Sequence, residues 1–71
     1  MKRTQVSSTS LASVGYDPAK KILEIEFQSG RVYQYYDVPG EIHQELMAAE
    51  SLGSYFNSQI RDGGYAYRRI R

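Results

Sequence analysis

The sequence contains no cysteine and no tryptophan, and it has only one histidine and two prolines among its 71 residues. Without cysteine, neither a disulfide nor a thiolate metal site can support the fold. No apolar run approaches the roughly 20 residues of a membrane span, and no apolar stretch follows the basic N-terminus, so no secretory signal is indicated. We therefore expect a cytoplasmic protein with no membrane partner.

Residue patterns typical of catalytic, metal and cofactor sites are also missing. No ligand spacing such as H-E-x-x-H occurs, and Gly63-Gly64 after Asp62 is typical of a turn rather than of a phosphate-binding loop. His43 follows Ile42 and lies off the apolar stripe of a predicted helix. We interpret it as solvated, because a general base would need a nucleophile or carboxylate held within reach. We expect that the protein is not an enzyme and binds neither a metal nor a cofactor.

The charge of the chain is small in total but unevenly distributed. Nine basic and eight acidic residues give a net charge of +1. Residues 1–10 carry +2, residues 11–60 carry −4 and residues 61–71 carry +3, and every positive charge in the last segment is an arginine. A chain of this length forms one small domain. The segment charges indicate that this domain has an acidic body and basic ends.

The strongest structural signal is a β-hairpin over residues 21–36. Its first half alternates apolar and polar residues with the period of a half-buried strand. A two-residue loop would place Gln34 opposite Ile25 on the apolar face. A three-residue loop over residues 28–30 instead places Tyr33 opposite Ile25, with Gly30 in the left-handed position of a type I turn and G1 bulge. We predict the three-residue loop and a solvated outer face of Glu24, Glu26, Val32, Gln34 and Tyr36.

Other signals place the remaining elements. Residues 1–7 have no periodicity and are predicted to be a flexible leader, followed by a strand over residues 11–16 and an Asp-Pro turn. Pro39 suits the start of a helix over residues 40–50. Gly53 is predicted to end that helix, and Ser54 to cap a second helix over residues 55–61. The tail alternates weakly and could add a short strand.

These elements predict an α+β fold. It is an antiparallel meander of three strands, or four with the tail, covered on one face by two short helices. The core is predicted to contain Val14, Leu23, Ile25, Phe27, Tyr33, Tyr35, Val38, Ile42, Leu46, Phe56 and Ile60.

Several stretches, VGYD (14–17), LEIEF (23–27), SGRVYQYYDVP (29–39) and AESLGSYFNSQIR (49–61), resemble the KTSC domain family in this order. This short bacterial and phage domain is named from its occurrence at the C-terminus of some lysyl-tRNA synthetases. The pattern G-x-x-Y-x-Y-x-x-VP followed by S-x-G-x-x-F-N-x-x-I appears here as Gly30, Tyr33, Tyr35, Val38, Pro39, Ser51, Gly53, Phe56, Asn57 and Ile60. The resemblance implies a single KTSC-like α+β domain over residues 8–71, alone or fused to other domains, without assigned catalytic residues. The link to a synthetase suggests RNA, by association only.

The C-terminal region is the best candidate for binding. Its arginines and tyrosines interleave as Arg61, Tyr65, Tyr67, Arg68, Arg69 and Arg71. Arginine can contact phosphate while an exposed aromatic ring stacks on a base, which is typical of proteins that hold RNA or single-stranded DNA. Two alternatives remain open: a basic tail that aids solubility, or a protein-interaction module that pairs an exposed strand edge with a partner chain.

Ser51 and Asn57 are a second candidate, a small polar niche near Gly53 that Arg61 would also line. Their alternative role is to satisfy free backbone groups at the helix ends.

Overall fold

The computed structural model describes residues 1–71. Its main element is a five-stranded antiparallel sheet. The strands lie side by side in chain order: β1 Thr4–Gln5, β2 Leu11–Asp17, β3 Ile22–Phe27, β4 Val32–Tyr35 and β5 Tyr67–Arg69. Helical segments contribute Leu46, Phe56 and Ile60 to the core beside the sheet. The predicted α+β fold is confirmed, and so is the additional strand in the tail.

The hairpin of β3 and β4 has the predicted register. Ile25 lies opposite Tyr33 and Leu23 opposite Tyr35. The Phe27 N–H donates to the Arg31 carbonyl at 2.9 Å, and Gly30 has a φ of +92°. The three-residue loop is therefore confirmed, with glycine at the position where a Cβ would be strained.

The helices differ in part from the prediction. Helix α1 spans Gly40–Ala48, and α2, Leu52–Tyr55, continues directly into a π-helix, Phe56–Arg61. Ser51 caps α2, since its hydroxyl accepts the Ser54 N–H at 3.2 Å. The predicted cap at Ser54 and the predicted helix end at Gly53 are therefore wrong, because Gly53 lies inside α2. None of the helices is long and apolar enough to cross a bilayer.

The core lies between the sheet and the helical segments. Its nine buried residues are Leu11, Val14, Leu23, Ile25, Tyr35, Val38, Leu46, Phe56 and Ile60. Three residues predicted for the core, Phe27, Tyr33 and Ile42, are partly buried and pack against this cluster. Leu11 was not expected there. A β-bulge between Leu11 and Ser13 shifts the alternation of β2, so that Leu11 and Val14 both reach the core.

The N-terminal residues are part of the sheet, which corrects the prediction of a leader apart from it. In β1, Thr4 lies opposite Val14 and Gln5 opposite Ser13. A Cβ on Gly15 would lie 2.9 Å from the Lys2 carbonyl oxygen, so the absence of a side chain lets the N-terminal residues approach β2 closely. A two-residue strand is too short for periodicity to reveal it.

The outer side of the sheet faces away from the helices. The prediction that this side is a solvated charged face is wrong. Glu24 is only 5% exposed and Val32 only 1% exposed. Glu24 accepts from the Arg3 guanidinium at 2.5 Å and from the Gln34 amide at 2.8 Å. Glu26 accepts from the Ser13 hydroxyl at 2.7 Å. The outer side therefore carries a closed polar network in which Arg3, brought in by the N-terminal segment, neutralises a buried carboxylate.

Candidate functional site

A groove of about 510 Å³ opens on the helix side of the sheet, between the β3–β4 hairpin and the π-helix. We call it the aromatic groove. It is lined by five aromatic residues, two arginines and three small polar residues: Phe27, Tyr33, Tyr35, Phe56, Tyr67, Arg31, Arg61, Ser10, Ser29 and Asn57. The groove exists because α1, α2 and the π-helix leave part of this face uncovered.

Three tyrosines from the two neighbouring strands β4 and β5 form one aromatic surface in the groove. The register of β4 and β5 places Tyr67 opposite Tyr35. The ring centroid of Tyr67 lies 5.7 Å from that of Tyr35 and 6.0 Å from that of Tyr33. Tyr35 is 5% exposed, whereas Tyr67 is 64% exposed. Tyr67 therefore combines support from two neighbouring rings with an accessible ring surface.

Two arginines flank this surface. Arg31 follows the hairpin turn, and its backbone carbonyl pairs with Phe27. Arg61 ends the π-helix and contacts Asp62 at 3.2 Å, in a pair whose side chains are 58% and 62% exposed. A pair so exposed contributes little to stability and leaves the guanidinium accessible. Both arginines can therefore contact an anion at the groove.

The Tyr35 hydroxyl belongs to the same site. Burial, together with the neighbouring Tyr33 and Tyr67, raises the pKa of Tyr35 to about 12, and the positive charge of Arg61 opposes this shift. The hydroxyl is therefore protonated at neutral pH and can donate a hydrogen bond.

The structure divides the arginines and tyrosines predicted at the C-terminus between two sides of the sheet. Arg61 and Tyr67 line the aromatic groove, and Arg69, opposite Tyr33, lies on the same side of the sheet. Arg68 lies opposite Gln34 on the outer side, and the Arg71 guanidinium lies 3.7 Å from Glu26 there. Tyr65 is partly buried against the core. These residues do not form one continuous patch. Successive residues of β5 point to opposite faces, which separates Arg68 from Tyr67 and Arg69. Arg71 follows β5, where the regular pairing ends because the Ile70 and Arg71 N–H groups both donate to the Val32 carbonyl.

The proposed polar niche is also divided. Ser51 has the backbone role considered for it, since it caps α2. Asn57 and Arg61, four residues apart on the π-helix, both line the aromatic groove. Ser51 does not line it.

Sequence reasoning missed most of the groove. The hairpin register already placed Phe27, Arg31, Tyr33 and Tyr35 on one face, but we expected the helices to cover that face. The available signal was the number of tyrosines, which exceeds what a core this small can bury.

His43 is partly buried rather than fully solvated as predicted. Its ring stacks on Tyr16 with centroids 4.8 Å apart and an interplanar angle of 11°. Burial lowers the pKa of His43. A hydrogen bond fixes the position of the Tyr16 ring, because the Tyr16 hydroxyl donates to the Val38 carbonyl at 2.6 Å. No group of three or more His, Cys, Asp or Glu side chains gathers where a metal ion could bind.

Comparison with known proteins assigns the chain to a family. The family model of the KTSC domain matches residues 7–69. The chain belongs to the KTSC domain family. A crystal structure of a KTSC domain protein from Yersinia pestis has a TM-score of 0.93 and 41% identity, covering 99% of this chain and 97% of that chain. The fold of this KTSC domain is thus shared closely with a solved structure.

Related sequences occur in two settings. A protein from Stutzerimonas stutzeri is 50% identical over 70 residues, which cover 99% of both chains. A lysine–tRNA ligase from Nostoc sp. is 38% identical over 55 residues, which cover 78% of this chain but 10% of the ligase. KTSC sequences are thus found both as small proteins and as a segment of a longer enzyme.

The two halves of the KTSC pattern meet at the aromatic groove. Tyr33 and Tyr35 come from the hairpin half, and Phe56 and Asn57 come from the helical half. Gly30 and Ser51 shape the turn and the helix start on either side. The pattern therefore brings together backbone-shaping residues and the residues of one groove.

Proposed function

We propose that this KTSC domain is a small, non-catalytic binding module that holds single-stranded RNA or DNA in the aromatic groove. The observation that carries the proposal is the ring of Tyr67, 64% exposed and supported by Tyr33 and Tyr35, with Arg31 and Arg61 beside it. Stacking of a base on an aromatic ring combined with arginine on phosphate is how many proteins bind single strands. A related segment in an enzyme named for tRNA supports RNA as the natural ligand.

The affinity of this module should be modest. Two arginines line the groove and Arg69 lies on the same side, so at most three phosphates are neutralised. Binding that rests mainly on phosphate contacts typically has Kd values of about 10⁻⁴–10⁻⁶ M at physiological salt, and we expect the domain to lie in this range. Fusion to a larger protein would raise the effective affinity by adding contacts.

Fluorescence anisotropy with a labelled single-stranded 12-mer tests the proposal. Because stacking contributes about 1–3 kcal/mol per base, Tyr67→Ala should weaken binding about tenfold, whereas Tyr67→Phe should retain it. Arg61→Ala should weaken binding several-fold. Arg68→Ala removes the same charge from the outer side and should leave binding unchanged. Absence of binding by the wild-type protein at low salt, or equal losses for Arg61→Ala and Arg68→Ala, would contradict the proposal.

The absence of catalysis is part of the proposal and has its own test. Labelled RNA incubated with the protein should be recovered intact. Turnover that is lost on His43→Ala or Asn57→Ala would show that the domain is an enzyme.

The free edge of β5 supports a second candidate function, pairing with an extended segment of a protein partner. The Tyr36 N–H donates to Ala66 and the Ile70 N–H donates to Val32, so the backbone groups of Tyr67 and Arg69 point away from β4. No strand covers that side of β5. An unpaired edge can accept a strand from another chain.

A proline substitution at the free edge of β5 distinguishes pairing with a protein strand from nucleic-acid binding. Arg69→Pro removes an N–H that faces the free edge, whereas Arg69→Ala removes only the side chain. A protein partner bound by strand addition should be retained by Arg69→Ala at high salt and after nuclease treatment, and lost on Arg69→Pro. Equal retention by both variants would contradict strand addition.

A further inference from the structure

We infer that the aromatic groove holds one unpaired nucleotide at a time and that Asn57 reads its base, with a preference for adenine. This inference rests on the proposed function and deepens it, because it specifies how much of a strand is bound and by which polar group. It follows from the exposure of the rings, the size of the groove and the position of one amide.

Only one ring in the groove is free to stack on a base. Tyr35 and Phe56 are 5% and 3% exposed. Phe27 meets the rings of Tyr33 and Phe56 edge to face, at interplanar angles of 85° and 74°. These rings are already packed against each other, and Tyr67 alone offers a largely open surface. A protein that grips a run of bases needs a ring for each successive base, so one open ring indicates one base.

The groove also has the dimensions of a pocket for a single small ligand. Its volume of about 510 Å³ lies within the roughly 300–1,000 Å³ of small-molecule sites. One wall comes from the hairpin turn through Ser29 and Arg31, and another from the π-helix through Asn57 and Arg61. A single nucleotide therefore fits with its base on Tyr67 and its phosphate near an arginine.

Asn57 is the polar group best placed to recognise the base. It lies on the groove wall, one residue after the buried Phe56 and four residues before Arg61. Its backbone carbonyl accepts the Asp62 N–H at 3.2 Å, while its side-chain amide has no partner within the protein. An asparagine amide presents a donor and an acceptor side by side. Adenine offers the complementary pair on its N7 edge as well as on its Watson–Crick edge, whereas the other bases offer it on the Watson–Crick edge alone. The amide is thus available for a base and favours adenine.

A length series tests the single-nucleotide site. We compare labelled oligoadenylates that are 3, 6 and 12 nucleotides long. A longer strand offers more positions to a single-nucleotide site, and once the measured Kd is corrected for that number, the three values should agree within about twofold. Adenosine monophosphate should compete for the same site. A rise in affinity of tenfold or more between the 3-mer and the 12-mer would overturn the inference.

Base preference tests the role of Asn57. The wild-type protein should bind adenylate several-fold more tightly than uridylate or cytidylate 6-mers. Asn57→Ala should bring the three to within about twofold of one another. Gln59→Ala removes an exposed amide from the same helix, outside the groove, and should keep the wild-type order. An unchanged preference in Asn57→Ala would overturn the assignment to Asn57.

These outcomes are distinct from failure of the proposed function. If the wild-type protein binds no oligonucleotide at low salt, the proposed function and this inference both fail. If it binds and Tyr67→Ala weakens binding about tenfold, but affinity grows with length or Asn57→Ala keeps the preference, only the inference fails. The denaturation midpoint of Asn57→Ala, an exposed position, should equal that of Gln59→Ala.

Discussion

Arg3 and Glu24 form the most consequential pair of single residues outside the groove. The Glu24 side chain is 6% exposed and that of Arg3 is 23% exposed. Arg3 also donates through Nε to the Ser13 hydroxyl at 2.9 Å. A buried carboxylate is tolerated when its partners compensate for lost hydration, so the N-terminal segment is held in place by electrostatics as well as by strand pairing.

Arg3→Ala should therefore destabilise the domain by about 2–3 kcal/mol, because a buried carboxylate loses its compensating charge. In a Glu24→Gln background, the same substitution should cost much less. Lys2→Ala, at the exposed neighbouring position, is the matched control. Urea unfolding of the wild-type protein and the four variants measures the difference, and equal midpoints for Arg3→Ala and Lys2→Ala would contradict this role for the pair.

Two tyrosines should make stability fall at alkaline pH. The pKa of both Tyr35 and Tyr55 is raised to about 12. Burial is the largest cause at each, and at Tyr55 the hydrogen bond from its hydroxyl to Glu45 is the second. Between pH 10 and about 12 the unfolded chain releases these protons while the folded chain keeps them, so the free energy of unfolding decreases as pH rises. The contribution is complete below pH 10.

Replacing both hydroxyls tests this dependence. Tyr35→Phe/Tyr55→Phe should lose less stability than the wild-type protein between pH 8 and pH 11, measured as urea midpoints at each pH. Parallel declines in the two proteins would show that these hydroxyls do not control alkaline stability.

At the scale of elements, the start of α2 sets the position of the π-helix and with it the groove wall. Ser51 adopts an extended conformation and its hydroxyl accepts the Ser54 N–H. The chain then runs without a break through Phe56 and Ile60, which are buried together, leaving Asn57 and Arg61 toward the groove. A shift of the helix start would rotate both residues.

Ser51→Ala should cost about 1 kcal/mol of stability, as is usual for loss of an N-cap hydroxyl. Ser54→Ala, at the cap expected from the sequence, should cost clearly less because its own hydroxyl accepts no backbone N–H at the helix start. Thermal or urea unfolding of the two variants distinguishes them. A larger cost for Ser54→Ala would place the helix start where the sequence predicted it.

The elements also show why sequence reasoning was accurate in some places and not in others. The β3–β4 register could be predicted because apolar alternation and Gly30 specify the same loop. The strand β1 could not, because it depends on contacts of Arg3 and Gly15 that are distant in sequence. The site was predicted in part: Arg61, Tyr67 and Asn57 were candidates. Separating Arg69 from Arg68 required the β4–β5 register, and separating it from Arg71 required the contact of Arg71 with Glu26.

At the scale of the whole molecule, the net charge is small, but the groove carries accessible positive charge of its own. The net charge is only +1. On the outer side, Arg3 and Arg71 contact Glu24 and Glu26. On the groove side, Arg31 makes no ion pair within the protein and Arg61 contacts only the exposed Asp62. The domain is therefore almost neutral at long range and positive locally, which favours weak binding at one face over long-range attraction.

This distribution predicts a small and face-dependent effect of salt on nucleic-acid binding. Each phosphate neutralised on a single strand contributes about 0.7 to the slope of log affinity against log salt. Contacts from Arg31 and Arg61 alone give a slope of about −1.4, and a contact from Arg69 brings it to about −2.

Arg61→Ala should make the slope shallower by about 0.7, while Arg68→Ala should leave it unchanged although it alters net charge equally. Titrations of a single-stranded 12-mer at four salt concentrations measure these slopes. If both variants shift the slope alike, net charge governs binding, and the groove does not select which arginines contact phosphate.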